Sequence, residues 1–121
     1  MAETALRILV VEDHAALGRF ITEVLAGAGY SVVGPLANQA AALAAVARDP
    51  FDLVVIDRRL RGEETLALGD ALAARGISCL LISGFPRSTL PERFRELPFL
   101  EKPFTMDQLV AAVNAVTARM R

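Results

Sequence analysis

Leu53-Val54-Val55-Ile56-Asp57-Arg58-Arg59-Leu60-Arg61-Gly62 runs four consecutive branched apolar residues into a lone carboxylate. An unbroken apolar run of this length, without alternation, reads as a strand buried on both faces, the pattern of a parallel sheet. Its last residue, Asp57, then stands at the carboxyl edge of that sheet, where open α/β folds bind ligands. The same event occurs earlier, where Ile8-Leu9-Val10-Val11 runs into Glu12-Asp13. Two strands thus deliver three acids to one edge. A nucleophile with a divalent-cation cup is the first chemistry such an edge suggests.

Working outward, short apolar runs alternate with helical patterns. After the strand at residues 7–11, Leu17, Phe20, Ile21, Val24 and Leu25 form an amphipathic stripe that stops at Gly27 and Gly29. Residues 30–35 read as a second strand. Asn38 can cap an alanine-rich helix ending before Asp49-Pro50, and residues 53–57 are the third strand. A shorter helix through Leu68 and Leu72 closes on Gly76, and residues 77–83 form the fourth strand. Pro86 and Pro91 make a long helix across both improbable, so one short helix is expected near residues 91–95, with Pro91 in its first turn. A fifth strand covers residues 98–101. Thr105 and Gln108 stand at capping-box spacing ahead of a last helix whose inward stripe is Leu109, Val113 and Val116. The pattern predicts one α/β domain over residues 1–121, a three-layer α/β/α sandwich of flavodoxin-like type. Its five-stranded parallel sheet has the order 2-1-3-4-5 and its fourth helix is irregular or short.

Composition excludes several function classes. The chain is 54% hydrophobic and 22% charged, as in a globular domain, and 121 residues suffice for one core. A net charge of −1 gives no electrostatic case for nucleic acid or a membrane surface. No apolar stretch approaches the roughly 20 residues of a membrane span. Met1-Ala2-Glu3-Thr4 lacks the basic start of a signal peptide. Cys79, the single cysteine, lies in an apolar run and reads as a core residue rather than a redox centre. A cytoplasmic location is expected.

Residues that directly follow the strands share one rim: Glu12 and Asp13, Asp57, Ser83 and Lys102. Magnesium favours carboxylate and carbonyl oxygens. Such an ion offsets the repulsion between Asp13 and Asp57 and brings a phosphoryl group to Asp57. A lysine can pair with phosphoryl oxygens and a small hydroxyl can hydrogen-bond one of them. The chemistry that uses this whole set is phosphoryl transfer onto a carboxylate. His14, the only histidine, reads as a first-turn surface residue, and Glu12 and Asp13 are also placed to cap the first helix.

In order along the chain, Val10-Val11-Glu12-Asp13, Val55-Ile56-Asp57, Ile82-Ser83-Gly84 and Leu100-Glu101-Lys102-Pro103-Phe104 resemble the motifs of response regulator receiver domains of two-component systems. The resemblance covers residues 7–117. It implies that Asp57 takes a phosphoryl group from a phosphohistidine on a histidine kinase or a histidine phosphotransfer protein. It further implies that Mg²⁺ is held by Glu12, Asp13, Asp57 and the backbone carbonyl of Arg59. Ser83 would be the switch hydroxyl, Lys102 the ion-pair partner of the phosphoryl group, and Phe99 the aromatic that changes rotamer on activation. A cis peptide before Pro103 is implied as well.

Two departures from that family individualise the chain. Many receivers have proline where this chain has Arg61, so the loop after Asp57 carries Arg58, Arg59 and Arg61. Arg59 is a candidate modulator of phosphoryl lifetime or donor access, against the plainer reading of a solvated loop balancing Glu63 and Glu64. The second departure is the segment holding Pro86 and Pro91. The family usually signals, and can homodimerise, through its fourth helix, fifth strand and fifth helix, so an irregular segment there alters partner geometry. No DNA-binding helices follow before Arg121. The expected output is therefore through protein contacts, as a stand-alone regulator or phosphate shuttle, or as a receiver excised from a longer protein. It would be a switch that catalyses its own phosphorylation rather than a turnover enzyme. The alternatives are a small-molecule phosphatase with an aspartate nucleophile, which usually carries a second acid where this chain has Arg59, and a degenerate receiver that only binds partners.

Overall fold

Sequential branched residues build the central sheet. The computed structural model describes residues 5–120, so the stretch Met1-Ala2-Glu3-Thr4 read for a targeting signal lies outside it. Strands β1 (Arg7–Val11), β2 (Ser31–Leu36) and β3 (Leu53–Asp57) are followed by a small hairpin, β4 (Arg59–Leu60) and β5 (Glu63–Glu64). The sheet is completed by β6 (Ser78–Ser83) and β7 (Phe99–Glu101). These five strands form four parallel pairings in the order β2-β1-β3-β6-β7. With the hairpin strands counted separately, this is the expected 2-1-3-4-5. Helices α1 (Ala15–Gly27), α2 (Gln39–Arg48), α3 (Leu66–Ala74) and α4 (Met106–Thr117) cover the sheet.

Strand alternation divides the core in two. Ile8, Val10, Leu53, Val55, Leu80 and Ile82 pack with Ile21 and Leu25 of α1 and with Leu109 and Val113 of α4. Leu9, Val54, Ile56 and Leu81 pack on the other side with α2, α3, Leu90 and Phe94. Cys79 belongs to this second cluster and is 6% exposed.

Caps mostly fall where residue types place them. Asn38 accepts from the Ala41 amide, and the Thr105/Gln108 capping box is formed in both directions. At α1, however, the capping side chain is His14, whose Nδ1 accepts from Leu17 N at 3.2 Å. Glu12 and Asp13 do not cap that helix: Glu12 Oε2 accepts from the His14 amide at 3.0 Å, and Asp13 reaches across to another loop.

Two features depart from expectation. The short helix expected at residues 91–95 is a 3₁₀ turn, Glu92–Phe94, with Pro91 at its cap rather than inside it, and a second 3₁₀ turn spans Arg87–Thr89. Both prolines supply carbonyls but no N–H. Each turn starts on such a carbonyl (Thr89 N to Pro86 O, 3.0 Å; Phe94 N to Pro91 O, 2.9 Å) and dies within three residues. An irregular segment thus stands where the resemblance implies a fourth helix. The other is the end of β2, where the register shifts between Leu9 and Val11 and Gly34 takes φ +120°. A Cβ on Gly34 would stand 2.5 Å from the Val10 carbonyl oxygen, so only glycine fits. Gly34-Pro35 and Lys102-Pro103 are cis peptides, the second as the resemblance implies.

Candidate functional site

Asp57 ends β3 and is 6% exposed, a carboxylate carried to the sheet edge by a strand buried along its whole length. Its two oxygens have different partners. Oδ1 accepts from the Arg59 amide at 3.0 Å, and Oδ2 is gripped by Lys102 Nζ at 2.5 Å. Lys102 follows β7 directly, and its own amide bonds Ser83 O at 2.7 Å, which fixes the lysine against the end of β6. The same ammonium lies 3.8 Å from Glu12 Oε1.

Glu12 is 3% exposed, and its Oε1 is a buried oxygen with no hydrogen-bond partner among the described residues. Burial, then hydrogen bonding to Asp57, pushes its carboxyl up to about 8, against the opposing pull of the His14 amide and the Lys102 charge. Asp13 is exposed, and its Oδ2 accepts from the Arg61 amide at 2.8 Å, which holds its carboxyl below the usual carboxylate range. That contact ties the first acid pair to the β4–β5 hairpin, whose turn residue Arg61 has φ +52°.

Glu12, Asp13, Asp57, Arg59 and Lys102 therefore meet around one cleft of about 380 Å³. Two expected site residues stand outside it. Ser83 is fully buried, and its hydroxyl is occupied by Phe85, donating to the carbonyl at 2.8 Å and accepting from the amide at 2.9 Å. Phe99 is half-buried on β7, with the Arg87 guanidinium 4.8 Å above its ring, and lines a separate groove against α4. Arg59 is exposed, and its guanidinium donates to Gly62 O at 3.0 Å, within its own hairpin.

The donor set suits a hard divalent cation. An orphaned buried carboxylate oxygen, two further carboxylates and a neighbouring loop carbonyl are the oxygen chemistry that Mg²⁺ selects. Among the described residues, though, no three acidic, histidine or cysteine side chains stand already gathered as a metal cluster. Lys102 and the Arg61 amide currently serve two of the acids, so a cation would displace or share those partners.

Two residues at the site carried little signal in the sequence. Thr65, 1% exposed, looks like a helix cap ahead of α3, yet makes no cap bond. Its hydroxyl instead bonds the carbonyls of Asp57 at 2.7 Å and Arg58 at 2.9 Å, pinning the acceptor loop. Arg58 is 7% exposed, the buried member of the basic loop, where Arg59 had seemed the candidate. It lines the same cleft as Asp57, while its guanidinium reaches toward the irregular segment and donates to Thr89.

A model of the response regulator receiver domain matches residues 8–114 of this chain. The transcriptional regulatory protein PdtaR of Mycobacterium tuberculosis is 26% identical over 119 residues, an alignment covering 95% of this chain and 58% of that protein. The chain spans about half the length of the curated relatives it matches. Among solved structures, SdrG from Sphingomonas melonis Fr1 is 33% identical with a TM-score of 0.81, covering 96% of this chain and 99% of that one. The BeF3-activated conformation of SdrG from Pseudomonas melonis Fr1 is 35% identical with a TM-score of 0.80, covering 94% and 98%.

Proposed function

The chain belongs to the response regulator receiver domain family, and from that premise we propose that Asp57 is a phosphoryl acceptor whose modification switches protein–protein contacts. The donor is a phosphohistidine on a histidine kinase or histidine phosphotransfer protein. An Asp57 carboxylate oxygen attacks phosphorus as the P–N bond breaks. The imidazole leaves and takes up a proton, and an acyl phosphate remains on Asp57. The observation that carries this reading is the convergence on one buried carboxylate of a lysine at 2.5 Å, a backbone amide at 3.0 Å and an unpartnered carboxylate oxygen next to that lysine.

Each residue then has a task. Lys102 holds Asp57 in place, and pairs with the phosphoryl oxygens once they arrive. The Arg59 amide orients the carboxylate. Ser83 leaves Phe85 to donate to a phosphoryl oxygen, and Phe99 responds to the space that opens. Glu12, Asp13, Asp57 and the Arg59 carbonyl would hold Mg²⁺. The bound ion would neutralise charge shared between the carboxylates and the phosphoryl group. Among the described residues no helix is long and apolar enough to cross a membrane. Output is through protein contacts, with a homodimer on the β7–α4 face as one form of it; the family's fourth helix contributes to that face only as 3₁₀ turns.

The test is incubation with Mg²⁺ and acetyl phosphate or phosphoramidate, alongside Asp57→Asn. Stoichiometric, base-labile label on wild type alone is the expected result. Multiple turnover of small phosphates would identify a phosphatase instead. Absence of label at saturating donor would leave a degenerate, partner-binding receiver.

A further inference from the structure

Arg58 adjoins the acceptor yet takes no part in the chemistry above. Its side chain is among the most buried charged groups of the molecule, 7% exposed for the residue. Its backbone amide bonds Ile82 O at 2.7 Å, so the start of the side chain is fixed to the sheet. From there the guanidinium spans to the irregular segment. Nη1 donates to Thr89 Oγ1 at 2.5 Å, Nη2 donates to Thr89 O at 3.2 Å, and Nε pairs with Glu64 Oε2 at 3.3 Å. The guanidinium carbon also lies 5.8 Å from the centre of the Phe85 ring. One side chain thus grips both ends of residues 85–89.

The Ser83 hydroxyl holds the same stretch by a separate route, through both backbone groups of Phe85. Two ties therefore leave the acceptor edge and land on one short segment, at Phe85 and at Thr89 of the 3₁₀ turn, with no long helix to stiffen it. Only the Ser83 hydroxyl can be surrendered to a phosphoryl group. A guanidinium fork held by a carboxylate, a hydroxyl and a carbonyl is strongly directional, and removing a partner leaves a buried charge short of acceptors.

We propose that Arg58 is a positioning residue for the switch: through Thr89 it holds residues 85–89 where they retain the Ser83 hydroxyl, and so opposes its transfer to an occupied Asp57. This rests on Asp57 being the phosphoryl acceptor. Linkage gives the direction. A tie that stabilises the unoccupied arrangement lowers affinity for any group that requires the other one, and cutting the tie raises it by the same factor.

The probe is beryllofluoride with Mg²⁺, which occupies a carboxylate as a phosphoryl group does, titrated by ¹⁹F NMR into wild type, Thr89→Val, Arg58→Lys and the double variant. Thr89→Val keeps the side-chain shape at an exposed position and deletes the hydroxyl that accepts from Nη1 and donates to Pro86 O, while the Thr89 carbonyl remains for Nη2. Arg58→Lys keeps the charge beside Asp57 but loses the fork. Thr89→Val is expected to bind beryllofluoride roughly three- to tenfold more tightly, from the loss of one charged hydrogen bond, and Arg58→Lys at least as much more tightly, from the loss of the fork. The double variant should match Arg58→Lys rather than multiply the two effects, because both act on one tie. Unchanged or weaker binding in Thr89→Val with an unchanged melting temperature overturns the proposal, and so do multiplicative effects. Failure of wild type itself to bind would instead remove the acceptor reading beneath it.

Discussion

Glu12 offers the sharpest physical test, because a buried carboxyl with one unpartnered oxygen makes the molecule's stability depend on pH. Its carboxyl titrates near 4.5 in the unfolded chain and near 8 in the folded one. The folded value is the higher, so the contribution is fully present below about 4.5 and is lost as pH rises through about 8. At about 1.36 kcal/mol per pH unit, that gap sets a ceiling of about 5 kcal/mol. The Lys102 ammonium, 3.8 Å from Oε1, compensates part of the charge. Water entering on ionisation compensates more, which leaves a net loss on the order of 2 kcal/mol. For a domain of this size that is about 8 °C in melting temperature. The comparison is thermal unfolding of wild type and Glu12→Gln from pH 5 to 8.5 in EDTA, since the amide is neutral throughout and subtracts every other titrating group. Wild type should lose about 8 °C relative to the variant as pH rises. Millimolar Mg²⁺ should restore it more at pH 8.5 than at pH 6, because the ion binds the ionised carboxylate. Parallel curves for the two proteins in EDTA would refute the reasoning.

Three further outcomes are expected. Gly34→Ala sets a Cβ 2.5 Å from the Val10 carbonyl at φ +120°, and should cost about 2–4 kcal/mol or prevent folding, read by urea denaturation. Cys79, whose thiol burial pushes up to about 12, should stay unreactive toward a disulfide reagent at pH 8 until urea unfolds the chain; its labelling rate should then track the unfolded fraction. On the proposal that Arg59, exposed at the rim of the cleft, limits access of water to an acyl phosphate on Asp57, Arg59→Ala should shorten the lifetime by roughly twofold or more, timed by loss of label. An unchanged lifetime would return Arg59 to a solvated loop.

The strands were legible because a parallel sheet buries them on both faces, so Ile8 to Val11 and Leu53 to Ile56 carry continuous apolar signals that stop where the rim begins. The rim followed from those stops, and Glu12, Asp13, Asp57, Arg59 and Lys102 do gather at one cleft. The hairpin Arg59–Leu60/Glu63–Glu64 was illegible, since two-residue strands leave no periodicity and its turn rests on a positive φ at arginine, which no composition rule favours. The segment after Ser83 was half legible. Pro86 and Pro91 announced a broken helix, but the arginines that shape the segment act through carbonyls distant in sequence. Charge on the acceptor loop was visible too, yet nothing in Arg58-Arg59-Arg61 distinguished the guanidinium that would be buried from the ones left in solvent.

The irregular segment also has a consequence for how this domain tolerates change. A helix holds its shape through bonds that every residue makes with its own near neighbours, so its specification is spread evenly along it. Here, besides the Ser83 and Thr89 hydroxyls, the scaffold is concentrated in three arginine side chains: Arg58 on Thr89, Arg87 on the carbonyls of Arg95 and Leu97, and Arg95 on the carbonyl of Leu90. Most of the acceptors are main-chain oxygens, which any amino acid supplies. Exposed positions such as Ser88, Glu92 and Glu96 are therefore free to diverge and to acquire new partner chemistry, while those three arginine codons are not.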